Sequence, residues 1–164
     1  MSFKTRASIK VADEVWLATA LLHLENPFKE DFLIREIRAR AAQEAIIDER
    51  RRGIYAHALQ HCVANCPPSP NNYRMLYETR DGYRRLFRSG DNHNPQRRGK
   101  ITPEADKIPP RYTYLLKWYE DWSRSQVEKA SQSDPLLALY GSGKSLWVEE
   151  HADDYVARLR EGWQ

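Results

Sequence analysis

Two runs rich in β-formers, YRMLYE and YRRLF, flank the segment Thr79-Arg80-Asp81-Gly82. Asp-Gly between two such runs is a strong short-range hairpin signal, because glycine supplies the positive φ that the tight turn requires. What precedes the hairpin has a different period. In VADEVWLATALLHL, apolar residues at Val11, Val15, Ala18, Leu21 or Leu22 and Leu24 follow helical spacing, with one broad apolar face. Asn26-Pro27 ends that helix, and Asp31 stands as N-cap before a second, basic helix. Its stripe is Phe32, Ile34, Ile37 and Ala41, with Arg35, Arg38 and Arg40 on its surface. A third helix begins after Asp48, carries Ile54, Ala58, Leu59, Cys62 and Val63 on its inner face, and ends before Cys66-Pro67-Pro68.

Three helices followed by a basic hairpin is the order of a winged helix-turn-helix domain, so the expected fold is mainly α with a small β-hairpin. Residues 89–111, rich in Pro, Gly, Asn and Arg, read as an extended loop. After it RYTYLLKWYEDWSRSQVEKA resumes helical spacing, and its face of Tyr112, Leu115 or Leu116, Tyr119 and Trp122 would cover the domain or pair with a second copy. SQSDP then serves as a linker. The organisation expected is a winged-helix domain over residues 8–128 and an extended tail with a short helix over 133–164. At 164 residues the chain is long enough for one core of ordinary size and an appendage.

Charge separates the same two parts. The chain as a whole has 26 Lys+Arg against 23 Asp+Glu, a net +3 that by itself marks no nucleic-acid binder. Between Arg74 and Lys107, however, nine basic residues face five acidic ones, whereas from Glu128 to Gln164 four basic face seven acidic. A basic middle and an acidic tail imply different partners. In a helix-turn-helix the start of the third helix enters the major groove, which makes Arg50, Arg51, Arg52, Tyr55 and His57 the candidates for base and phosphate contacts. Arg80, Arg84 and Arg85 lie where a wing would reach phosphates or the minor groove. Paired recognition helices would favour a homodimer on double-stranded operator DNA.

YGSGKSLW raises the question of a nucleotide site. A phosphate-binding loop needs Gly-x-x-x-x-Gly-Lys-Ser/Thr after a buried strand, but the leading position is Ala138, and no strand-rich nucleotide domain surrounds it. The whole segment SDPLLALYGSGKSLWVEEHADDYVARLREGW instead resembles the C-terminal toxin-binding tail of VapB-type antitoxins. The residues carrying the resemblance are Asp134, Pro135, Leu136, Leu137, Gly141, Gly143, Lys144, Trp147, Asp153, Tyr155, Val156, Leu159, Arg160 and Trp163, over about a fifth of the chain. The resemblance implies that the tail wraps a PIN-domain ribonuclease and places a basic side chain in its acidic, metal-binding active site. The head does not match the small swapped-hairpin or ribbon-helix-helix heads usual in that family.

The residues of the tail suit such a role. Leu136, Leu137, Leu139, Trp147, Tyr155, Leu159 and Trp163 are too many large apolar groups for a short free tail to hide alone, and such anchors mark an interface. Lys144, Arg158 and Arg160 are the available plugs for a carboxylate cluster, arginine having the better bidentate fork. The alternative is that the tail folds back on its own domain, leaving a winged-helix DNA-binding regulator or an interaction module with no toxin partner. Folding on a partner would leave the tail largely disordered beforehand.

Other chemistry is thinner. His57, His61, Cys62 and Cys66 could be imagined as a zinc set, but the two i,i+4 pairs point about 100° apart on one helix, so core and surface roles are expected and no metal or cofactor. Asp91, His93, Arg97 and Arg98 could be imagined as a nuclease site; without a second carboxylate or nucleophile, an ordered loop is the expectation, and the chain is not read as an enzyme. No stretch approaches the roughly 18 apolar residues of a membrane span, nor is there a signal-peptide core, so a cytoplasmic protein is expected, with Cys62 and Cys66 as thiols.

Overall fold

A computed structural model describes residues 9–46, 53–132 and 160. The chain divides into two units, Met1–Arg124 and Ser125–Gln164. The described part of the first unit is mainly helical with a small antiparallel sheet. The chain order is α1 (Val11–Glu25), β1 (Phe32–Leu33), α2 (Ile34–Glu44), α3 (Gly53–Ala56), β2 (Leu76–Arg80), β3 (Tyr83–Leu86) and α4 (Tyr114–Gln132). α3 runs without a break into a π-helical turn, His57–His61.

α1 is the axis of the core. The one broad apolar face expected from the sequence is instead burial on every side, since each residue from Ala12 to Leu21 is buried. Small residues at Ala12, Ala18 and Ala20 leave room for neighbouring backbones on the faces that lack a large side chain. Trp16, fully buried, meets Tyr119 of α4 edge-on at 5.6 Å between ring centres. Tyr112, Leu115 and Tyr119 are buried in the same core, so the aromatic face of α4 covers its own domain. Two polar groups on α1 find partners inside: Asp13 lies 2.6 Å from the ammonium of Lys100, and Thr19 donates to the Val15 carbonyl at 2.8 Å.

The sheet holds one strand more than the predicted hairpin. β3 lies in the centre, paired antiparallel with β2 on one side and with the two-residue β1 on the other. Phe32 pairs with Arg84 and Leu33 with Tyr83. Gly82, at φ +73°, makes the expected turn. Because β1 takes up Phe32 and Leu33, α2 starts at Ile34. Leu33 occupies the N-cap, its amide donating to Glu36 Oε2 at 2.8 Å. The expected cap, Asp31, uses its carboxylate elsewhere, accepting from the Thr79 hydroxyl at 2.7 Å.

The third helix also ends earlier than the sequence indicates, at His61 instead of just before Cys66. Its final carbonyls are taken by two buried arginines from distant parts of the chain. Arg84 donates to Ala58 O (3.1 Å) and Leu59 O (3.0 Å). Arg97, wholly inaccessible to solvent, donates to Gln60 O (2.7 Å) and His61 O (3.0 Å), and also to Cys66 O (2.6 Å), Pro67 O (2.9 Å) and Tyr73 O (2.8 Å). A guanidinium has five N–H donors, and here five carbonyls use them. The loop that sequence places at 89–111 is therefore an ordered brace. Asn94 Oδ1 accepts from the Gln96 amide in an Asx-type turn, and the Gly99 amide bonds Asn72 O at 2.8 Å.

Two outcomes follow for stability. Arg97→Lys retains the charge but offers three donors to five carbonyls, so it should cost about 3 kcal/mol or more in urea unfolding, with little difference from Arg97→Met. His23 on α1 is buried, accepts the Leu86 amide at its Nε2 (3.3 Å) and packs against Phe32 and Trp122. Burial, reinforced by Arg88 and Arg85, lowers its pKa to about 3. The unfolded chain therefore binds the proton that the native state refuses. Stability is fully present above the unfolded value near 6.5 and is lost as pH falls toward 3, at up to about 1.4 kcal/mol per pH unit. The urea midpoint should drop between pH 7 and 5.5, and His23→Gln, which keeps an acceptor for Leu86, should shrink that drop.

Candidate nucleic-acid interface

A hairpin with arginines at three of its positions can reach a phosphate only with guanidiniums that face solvent. The strand alternation sends Arg84 and Arg85 to opposite faces of the sheet, and both faces are covered. Arg84, 2% exposed, turns toward the third helix, bonds its carbonyls and pairs with Glu78 at 2.9 Å. Arg85, 6% exposed, grips both oxygens of Asp91 at 2.6 and 2.7 Å and lies over the ring of Tyr77, 4.4 Å from its centre. Neither presents its guanidinium outward. Both are structural arginines, their guanidiniums taken up by the third helix and Glu78 and by Asp91 in place of the expected phosphates.

Arg80 differs. Its side chain is 63% exposed and stacks over the Tyr83 ring at 3.7 Å, with Asp31 as a distant partner at 3.4 Å. Asp81 beside it is exposed. The hairpin tip does not project freely, for Gly82 O accepts from the Ile34 amide at 3.1 Å and so ties the turn to the start of α2. Between the tip and the α1–β1 connection lies an open cleft of about 610 Å³, lined by Glu30, Asp31, Tyr77, Thr79, Arg80 and Arg85. Glu30 and Asp31 line it together with the exposed Arg80, so its charge is mixed.

On the third helix Tyr55 is exposed. His57 is half-buried, with its Nδ1 2.9 Å from Gly53 O, and burial holds its pKa below the ordinary value. Arg50, Arg51 and Arg52 lie outside the described residues, as do Leu136, Leu137, Lys144, Trp147, Tyr155, Arg158, Leu159 and Trp163 of the tail. Arg160 of the tail is helical and exposed. On α2, Arg35 and Arg38 are exposed, but Arg40 clamps Glu25 at 2.7 Å and Glu44 at 2.8 Å, joining α2 to the end of α1. The structure thus brings Tyr55, Arg80, Arg35 and Arg38 to the surface of the first unit.

Of the other imagined sites, Asp91 is occupied by Arg85 and by the Arg88 amide at 2.7 Å, and Arg97 is interior, while His93 and Arg98 are exposed. Cys62 and Cys66 are free thiols. Burial pushes Cys62 up to about 12, and burial together with Glu78 raises Cys66. Neither is a ready thiolate. No group of three or more His, Cys, Asp or Glu among the described residues is placed to hold a metal. Sequence reasoning overlooked the roles of Arg97 and Lys100, and the only trace of them in sequence is Arg and Lys in a Pro/Gly-rich loop otherwise short of apolar residues.

No protein-family model, curated protein or solved structure matches the chain.

The two kinds of arginine should separate in mutation. Arg80→Ala should leave the unfolding free energy within about 0.5 kcal/mol. On any DNA that the head binds through its hairpin, it should lower affinity and reduce the salt slope by about one. Arg84→Ala removes a buried guanidinium that caps the third helix and pairs with the part-buried Glu78, and should cost about 3 kcal/mol of stability by urea unfolding.

Proposed function

We propose that the chain is the antitoxin of a type II toxin–antitoxin pair, a cytoplasmic and non-enzymatic protein whose tail neutralises a PIN-domain ribonuclease while its head binds double-stranded operator DNA as a homodimer. The tail sequence carries the first half of this reading. Its Gly-Ser-Gly-Lys segment, Trp147 and Tyr155-Val-x-x-Leu-Arg-x-x-Trp163 run are the features shared with VapB-type tails, and Lys144, Arg158 and Arg160 supply the cations. The sheet supports the second half. The mainly helical fold with a small antiparallel sheet, strand order β1-β3-β2, is compatible with a winged helix-turn-helix and supports that reading. In that arrangement the third helix, with Tyr55 and the preceding Arg50, Arg51 and Arg52, is the reading element, and Arg80 is the wing contact.

A second reading is favoured by one observation. With Arg84 and Arg85 turned inward, the hairpin keeps Arg80 alone of its three arginines at the surface, with Asp31 and Asp81 beside it. That charge balance suits a winged-helix scaffold used for protein contacts without DNA affinity.

Affinity capture from the native host, with full-length bait and with bait ending at Ala130, tests the toxin half. The expected result is a small PIN-domain protein retained only by the full-length chain and lost again with Trp147→Ala plus Trp163→Ala. Retention of no such protein by either bait would remove the antitoxin reading. A gel shift on the promoter DNA then separates the two readings of the head, since phosphate contacts weaken as salt rises.

A further inference from the structure

His57 and His61 stand four residues apart at the two ends of the π-helical turn, and their rings meet at 4.9 Å between centres with planes 80° apart. Both are half-buried and reach the surface. We propose that this pair forms a two-imidazole site for a late first-row divalent cation, Zn²⁺, Ni²⁺ or Cu²⁺, beside the third helix.

Spacing supplies the first support. Side chains at i and i+4 share a helix face, the spacing by which paired helical histidines bind zinc in other proteins. The second is distance. A metal about 2.0–2.1 Å from an imidazole nitrogen lies about 3.2 Å from the ring centre, so two cis ligands on a tetrahedral or square-planar ion have centres about 4.5–5.2 Å apart. The observed separation falls inside that interval.

The third support is the state of the other ring nitrogen. His57 Nδ1 lies 2.9 Å from Gly53 O, and His61 Nδ1 lies 2.7 Å from Ser69 O. A carbonyl oxygen only accepts, so each Nδ1 carries the hydrogen. In the neutral ring this leaves the lone pair on Nε2. Donation of the remote N–H to a backbone carbonyl is what fixes the tautomer and aim of histidines that ligate metals. Here both members of the pair have it, one from within the helix and one from the loop after it.

Among the described residues, other donors do not join them. Cys62 is fully buried in the core, Cys66 donates to Glu78 Oε2 at 3.4 Å, and His23 uses its Nε2 inside the domain. With these two imidazoles as ligands, the remaining coordination positions are open to water or to another donor. Imidazole selects the late transition ions over Mg²⁺ and Ca²⁺, which want oxygen. A bound cation would link the two ends of the π turn. It would also add positive charge beside Tyr55, and it would occupy His57 as a ligand and not as a base-reading side chain. The site stands on the histidine geometry alone and does not depend on the antitoxin reading.

The test is a titration of the full-length, untagged protein with Cu²⁺ followed by electron paramagnetic resonance, and with Zn²⁺ followed by calorimetry. Expected are one ion per chain in the micromolar range, two coordinated imidazoles in the Cu²⁺ spectrum, and an affinity at least tenfold weaker in His57→Gln and in His61→Gln. Glutamine retains an N–H for each carbonyl, and circular dichroism reports whether each variant is folded. Independently of any variant, Zn²⁺ added to the wild-type protein should shift the ring Nε2 resonances of His57 and His61 and spare their Nδ1. Binding weaker than about 1 mM, binding unchanged in both folded variants, or shifts confined to His93, His151 or the N-terminus would overturn the proposal.

Discussion

The third helix of this protein ends because two guanidiniums reach it from elsewhere in the chain. Four successive carbonyls, those of Ala58, Leu59, Gln60 and His61, are the acceptors that any helix leaves over at its C-terminus. Arg84 from the central strand takes the first two and Arg97 from the long loop takes the second two. Cations at this end also face the negative pole of the helix. Arg97 goes further, holding Cys66, Pro67 and Tyr73 by their backbone oxygens. With those carbonyls fixed, the connection from the third helix into β2 has a defined path, and the Gly99 segment can lie against Asn72 at a distance where even a Cβ would clash.

Around this joint the remaining elements fall into a consistent arrangement. α1 is enclosed on all sides, α4 lays Tyr112, Leu115 and Tyr119 over it, and Asp13–Lys100 ties it to the same loop that carries Arg97. Glu44 receives both Arg40 and the hydroxyl of Tyr112, which fastens the end of α2 to the start of the aromatic segment. Asp13, Glu44, Arg84, Arg85 and Arg97 are each matched to partners elsewhere in the sequence. That is why the basic character of residues 74–107 overstates the charge at the surface.

Much of the local structure was legible. α1, α2, α4 and the Asp81-Gly82 turn are each announced by spacing or by a residue with one conformational use. β1 was not, because two residues have no period and acquire strand geometry only by pairing with β3. The start of α2 shifted for the same reason, Asp31 having found the Thr79 hydroxyl. Among candidate site residues, strand alternation could tell that Arg84 and Arg85 point to opposite faces, but not that both faces are covered. Arg80, at the turn, escapes this. The end of the third helix was the least accessible feature, since its cause sits 26 and 36 residues further along the chain.

That separation has a consequence for how the protein is made. A nascent chain released only as far as His61 holds a helix whose last carbonyls have no guanidinium to receive them, and Arg84 and then Arg97 arrive in that order as synthesis proceeds. The domain therefore cannot close helix by helix behind the ribosome. Its first half must wait, exposing the apolar faces of α1 and the third helix, until Arg97 and then the aromatic residues of α4 have cleared the exit tunnel, so closure of the domain comes late in synthesis.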